Sequence, residues 1–126
     1  MNAIELSQIY KHFRFYDKPV NRLKEIGMLF SINGPDFKWR HPGNINLNFH
    51  GVEAHTLLNS LQPNLCASTG AACASGTIES SHVLRAIGVT DENSACSIRF
   101  SIGRFTNEDQ LEQSVNLIRE KIESLT

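Results

Sequence analysis

The sequence predicts an α+β fold: a small, mainly antiparallel sheet with helices packed on one face. Asn44-Ile45-Asn46-Leu47-Asn48-Phe49 and the segment from Ser97 to Ile102 alternate polar and apolar residues with a period of two, the pattern of a half-buried strand. At the C-terminal end, Leu111, Val115, Ile118, Ile122 and Leu125 follow at intervals of four and three, the stripe of an amphipathic helix. Helices and strands are interleaved in a mixed order, which suits helices on one side of an antiparallel sheet.

Taken in order, Ile4, Ile9, Tyr10 and Phe13 are spaced for a first helix, and Asp17-Lys18-Pro19 opens a second that Gly27 can close. Met28 to Ile32 reads as a short strand stopped at Asn33-Gly34-Pro35, and His41-Pro42-Gly43 marks a turn. In the strand that follows, Ile45, Leu47 and Phe49 face a core and the three asparagines face solvent. Glu53 to Leu61 carries Leu57, Leu58 and Leu61 at helical spacing and ends before Pro63. Leu65-Cys66-Ala67 is a candidate short strand, and Ser80 to Ile87 a brief helix stopped by Gly88. In the last strand, Ile98, Phe100 and Ile102 point one way and Ser97, Arg99 and Ser101 the other. Thr106 with Asp109 supplies an N-cap signature for the final helix.

The length of 126 residues fits a single domain over 1–126 with its own core, and excludes a barrel enzyme or two full-sized domains around a cleft. A net charge of −1 gives no basic surface for nucleic acid. No apolar run spans a membrane and no signal peptide opens the chain, so a cytoplasmic protein is expected. Between His41 and Leu84 there is no Lys or Arg, and only Glu53 and Glu79 are acidic. Cys66, Cys73 and Cys96 are odd in number without a Cys-x-x-Cys, which argues against a disulfide framework or a zinc knuckle. His12, His41, His50, His55 and His82 show no metal-ligand spacing, so no metal site is expected.

Ser68 to Thr77 contains nothing larger than threonine and no charge, so it is expected to be a mobile loop, with Cys73 at its centre. A thiol on such a tether suits sulfur that must travel between a buried site and an outside acceptor. The alternative is an inert cysteine in a small-residue turn, since no neighbouring cation lowers its pKa from about 8.5. Cys66 and Cys96 are read as structural. Arg99, between Ser97 and Ser101, is placed to hold a carboxylate by two parallel hydrogen bonds, or else is an arginine on a solvated sheet face.

The run Leu65-Cys66-Ala67-Ser68-Thr69-Gly70-Ala71-Ala72-Cys73-Ala74-Ser75, with Glu79, Val83-Leu84-Arg85-Ala86-Ile87-Gly88 and Ser97-Ile98-Arg99-Phe100-Ser101-Ile102-Gly103-Arg104-Phe105-Thr106, resembles the C-terminal small domain of cysteine desulfurases. These are class V, fold-type I enzymes using pyridoxal phosphate (PLP), and the resemblance is nearest to the branch serving iron–sulfur assembly and nitrogen fixation. It implies that Cys73 attacks the sulfur of the PLP-bound substrate cysteine, becomes a persulfide and passes that sulfur on, and that Arg99 grips the substrate α-carboxylate. It also implies that the large domain, which holds PLP through a Schiff-base lysine, is not within these residues. Lys11, Lys18, Lys24, Lys38 and Lys121 lie outside the family's Ser-x-His-Lys setting, so PLP binding by this chain alone is not expected.

Three readings follow. The chain is a partial or split desulfurase completed by a large-domain chain and serving an acceptor such as an iron–sulfur scaffold; or a stand-alone persulfide relay; or a folded remnant, inactive alone. Self-association through the face that would meet a large domain is a further expectation.

Overall fold

Antiparallel pairing of three short strands organises the chain, and the computed structural model describes Asn21 and residues 30–41, 43–69 and 80–126. The helices expected over 1–27, the start of the first strand at Met28 and Leu29, and the Pro42 turn position lie outside the described residues. Within them, β1 (Phe30–Asn33) is followed by a 3-10 turn (Phe37–Trp39), β2 (Asn44–Phe49), α1 (Ala54–Leu61), α2 (His82–Ala86), α3 (Asp91–Ala95), β3 (Ser97–Ser101) and α4 (Glu108–Leu125).

The sheet order is β1-β2-β3. Phe30 faces Phe49 and Ile32 faces Leu47 on one side of β2, while Leu47 pairs with Ile98 and Ile45 with Phe100 on the other. One sheet face is therefore wholly apolar. Phe49, 1% exposed, is its centre: its ring lies 6.5 Å from Phe30 and 6.3 Å, edge-on, from Phe100. Leu57 and Leu61 from α1 and Val115 and Ile118 from α4 close over this face, and the two helices pack on each other. Leu125, the last apolar residue of the α4 stripe, lies beyond the sheet and is exposed.

The helix ends show how local chemistry sets the boundaries. Glu53 caps α1, accepting hydrogen bonds from the backbone N–H of His55 (3.0 Å) and Thr56 (2.7 Å) and from the Thr56 hydroxyl (2.8 Å). Slight burial raises its pKa, but those bonds outweigh the effect and hold it below the usual carboxylate range. The cap of α4 is one residue beyond the expected position. Asn107 and Gln110 form a reciprocal capping box, whereas the Thr106 hydroxyl accepts from the Gly103 N–H at 3.1 Å. Gly88, at φ +85°, closes α2 in a conformation that side chains resist. Gly43 meets β3 so closely that a Cβ there would sit 3.0 Å from the Ile102 carbonyl oxygen.

Three expectations are corrected. Leu65-Cys66-Ala67 is not a strand; a single antiparallel bridge joins Ser68 to Arg99. The β2 asparagines are not solvated: Asn48 is 2% exposed, and Asn44 and Asn46 are half-buried. The brief helix expected over Ser80 to Ile87 is confined to α2, and the separate α3 was not expected. It is built on the Thr90 cap, whose hydroxyl accepts from the Asn93 N–H at 3.2 Å.

Because Phe49 joins all three strands, Phe49→Ala is expected to lower unfolding free energy by about 3–5 kcal/mol. Urea denaturation followed by circular dichroism measures this; a loss below about 1 kcal/mol would remove Phe49 from the centre of the core.

Candidate functional site

The second face of the sheet is polar, and Arg99 stands on it. Asn33 Nδ2 donates to Asn46 Oδ1 (2.7 Å) and to Ser97 Oγ (2.9 Å), and Ser97 Oγ donates to the Asn93 carbonyl (2.7 Å). Asn48 Nδ2 reaches the same carbonyl at 3.1 Å, while its buried Oδ1 has no partner among the described residues. These side chains tie β1, β2, β3 and α3 together by neutral hydrogen bonds. The sheet backbone beneath Arg99, which pairs across strands with Asn46, is thereby fixed.

Arg99 itself is exposed, and no other described residue engages its guanidinium by a hydrogen bond or ion pair. Its backbone is engaged on the outer edge of the sheet. The Arg99 N–H donates to the Ser68 carbonyl at 2.6 Å and the Ser68 N–H donates to the Arg99 carbonyl at 3.1 Å. Ser68 begins the small-residue run that contains Cys73. Cys73 itself, with residues 70–79, lies outside the described residues. The structure thus places Arg99 beside the entry to that segment.

The far stem of the same segment is also held. Ser80 Oγ donates to Asp91 Oδ1, and Arg85 approaches that oxygen at 3.5 Å. The Ser80 hydroxyl chiefly, and the Arg85 charge after it, hold the Asp91 carboxyl below its ordinary pKa. Sequence reasoning missed this anchor because Asp91 lies eleven positions from Ser80, outside any helical or strand spacing.

Of the two cysteines read as structural rather than reactive, Cys66 is an exposed free thiol and Cys96 is half-buried. Cys66 borders a groove of about 590 Å³ between β3 and α4. Among the described residues no three His, Cys, Asp or Glu side chains gather as metal ligands, and no helix is long and apolar enough to cross a membrane.

Comparison with known proteins gives this arrangement a family. The Aminotransferase class-V profile matches residues 1–113, and the chain belongs to that family. Within it, the chain is similar to proteins named cysteine desulfurase IscS. It is 46% identical over 94 residues to the one from Ruthia magnifica subsp. Calyptogena magnifica, covering 75% of this chain and 23% of the relative. With that of Rickettsia rickettsii (strain Iowa) it shares 40% identity over 123 residues, 96% of this chain and 29% of the relative. A solved NifS-like protein superposes with a TM-score of 0.75 at 26% identity, over 97% of this chain and 30% of that one. A second, the NifS-like protein from Rickettsia africae ESF-5, at 21% identity and a TM-score of 0.70, shows the same fold. The chain spans about a quarter of the length of the curated relatives it matches.

The family uses PLP, which calls for a lysine beside the reacting centre. Neither described lysine is on the Arg99 face. The Lys38 ammonium lies 5.3 Å from the Trp39 ring centroid, and Lys121 is on α4, across the sheet, 3.4 Å from Glu120. The groups nearest Arg99 on the sheet are neutral amides and hydroxyls, so the described residues form no cradle for the cofactor.

The Ser80–Asp91 contact is open to direct measurement. Carbon-detected NMR titration of the Asp91 carboxyl is expected to give a midpoint below the ordinary aspartate value of about 3.9, moving upward in Ser80→Ala. An unmoved midpoint in that variant would show that the hydroxyl does not hold the carboxylate.

Proposed function

We propose that this chain is the sulfur-carrying portion of a cysteine desulfurase, in which Cys73 takes sulfur from L-cysteine and Arg99 holds the substrate carboxylate. The observation that carries the reading is the reciprocal backbone pair between Ser68 and Arg99. Cys73 is five positions beyond Ser68, so their Cα atoms are at most about 18 Å apart. The thiol is therefore tethered to the neighbourhood of the guanidinium, whatever path the intervening chain takes.

The chemistry of each group follows. A guanidinium on an exposed sheet face offers two parallel N–H donors to a carboxylate, which fixes the substrate's orientation as well as its charge. Cys73 attacks the substrate sulfur as thiolate. A sulfur–sulfur bond forms while the substrate's carbon–sulfur bond breaks, and the electron pair remains on carbon, to be received by chemistry outside these residues. The products at Cys73 are a persulfide and, after transfer, a free thiol again. The acceptor fits the class of iron–sulfur scaffold proteins, and the remaining three quarters of the relatives' length fits the source of the PLP site.

Intact-mass analysis after exposure to a persulfide donor tests Cys73. Because Cys66 is also exposed, the experiment uses the Cys66→Ala/Cys96→Ala background. One added sulfur is expected there and none when Cys73→Ala is included; equal labelling of both would remove Cys73 from the reading. The chain alone, given PLP and L-cysteine, is expected to release no sulfide, and turnover would overturn the need for a complementary portion.

Arg99 is tested in the completed enzyme. Arg99→Ala is expected to raise KM for L-cysteine by roughly 10- to 100-fold, the loss of one charge-assisted pair. An unchanged KM would place the carboxylate elsewhere.

A further inference from the structure

β3 is an edge strand, and its outer edge changes character along its length. At Arg99 the N–H and carbonyl turn outward to Ser68. In an antiparallel sheet alternate residues share that direction, so the N–H and carbonyl of Ser101 also turn outward. No other described residue meets them there. The segment that pairs at Ser68 has peeled away: the N–H groups of Asn64 and Leu65 bond back to the Leu61 carbonyl at 3.1 and 3.0 Å, toward the end of α1.

The fork left between this segment, β3 and α4 is the groove of about 590 Å³. Leu65, Phe100, Ile102, Leu111 and Val115 line it, with Gln110 and Gln113 among its polar residues. None of its described lining residues is charged, although charged residues make up 20% of the chain. An apolar cleft beside a strand edge that no described residue pairs suits one kind of occupant: an extended segment that adds to the sheet through its backbone and sends alternate apolar side chains into the cleft.

We propose that the Ser101 end of β3 is a docking edge for an uncharged, apolar extended segment of the large-domain portion that completes the enzyme. The inference rests on the desulfurase reading above. The lining argues for this source over a second copy of the chain, because β1, β2 and β3 already direct their own apolar residues into one core. The relatives supply chain to spare, since the part matched here is 23% and 29% of their length.

The test uses the 126-residue chain and short synthetic peptides tiled along the Ruthia magnifica desulfurase outside its 94 matched residues, with binding read by fluorescence anisotropy. At least one uncharged apolar peptide is expected to bind. N-methylation of its backbone at the position facing Ser101 should weaken binding by about tenfold or more, because it removes strand pairing while keeping the side chains. Leu111→Lys should weaken it similarly with an unchanged circular dichroism spectrum. Ser101→Pro, which removes the outward N–H, should do the same with an unchanged circular dichroism spectrum.

No binding by any peptide, or binding indifferent to N-methylation, overturns the docking edge. So does a concentration-dependent dimer abolished by Leu111→Lys, which would assign the groove to a second copy. Persulfide labelling of Cys73 separates the two claims. Labelling without peptide binding removes the docking edge alone, and binding without labelling removes the sulfur-carrying reading alone.

Discussion

The alternation along β2 governs everything else in this chain. Ile45, Leu47 and Phe49 project into the helices, and Asn44, Asn46 and Asn48 project to the other side, where Asn46 meets the Asn33 amide and Asn48 the Asn93 main-chain carbonyl. A one-residue slip in register would exchange the two sets, driving three amides into an apolar core. The apolar face fixes where α1 and α4 lie. The polar face fixes the backbone of β3 under Arg99, and hence where the segment leading to Cys73 begins.

Division of labour between the faces also explains why the candidate site is polar without being ionic. Cross-strand bonds among Asn33, Asn46 and Ser97 hold the sheet with neutral groups, and Arg99 keeps its charge facing solvent. A carboxylate placed among them would neutralise the guanidinium. On the opposite side the helices bury leucine, isoleucine and valine.

Much of this was legible in the sequence, for a physical reason. Period-two and period-3.6 patterns report which side of an element faces apolar surroundings, so β2 and the body of α4 fall where the residues place them. Patterns do not report what covers the other side. Asn48 therefore reads as solvated and is buried, because α3 lies over it. The same limit applies to α3, which has no apolar stripe and owes its position to Thr90 and to bonds from the sheet. The cap of α4 fell one residue beyond Thr106, whose hydroxyl turns back to Gly103 and leaves the helix end to Asn107 and Gln110. Cys73 and Arg99 were legible as residue types in a family pattern. The Ser68 bridge beside Arg99 and the Asp91 anchor at Ser80 were not, since both depend on contacts between distant parts of the chain.

The attachment of α3 has a consequence for how freely that helix can drift in evolution. Asn48 and Ser97 hold it by the main-chain carbonyl of Asn93, and Thr90 caps it through the Asn93 main-chain N–H. None of those bonds reads the identity of residue 93. The helix is gripped by atoms every amino acid possesses, proline lacking only the N–H, so position 93 is free to vary while the sheet residues that grip it are not.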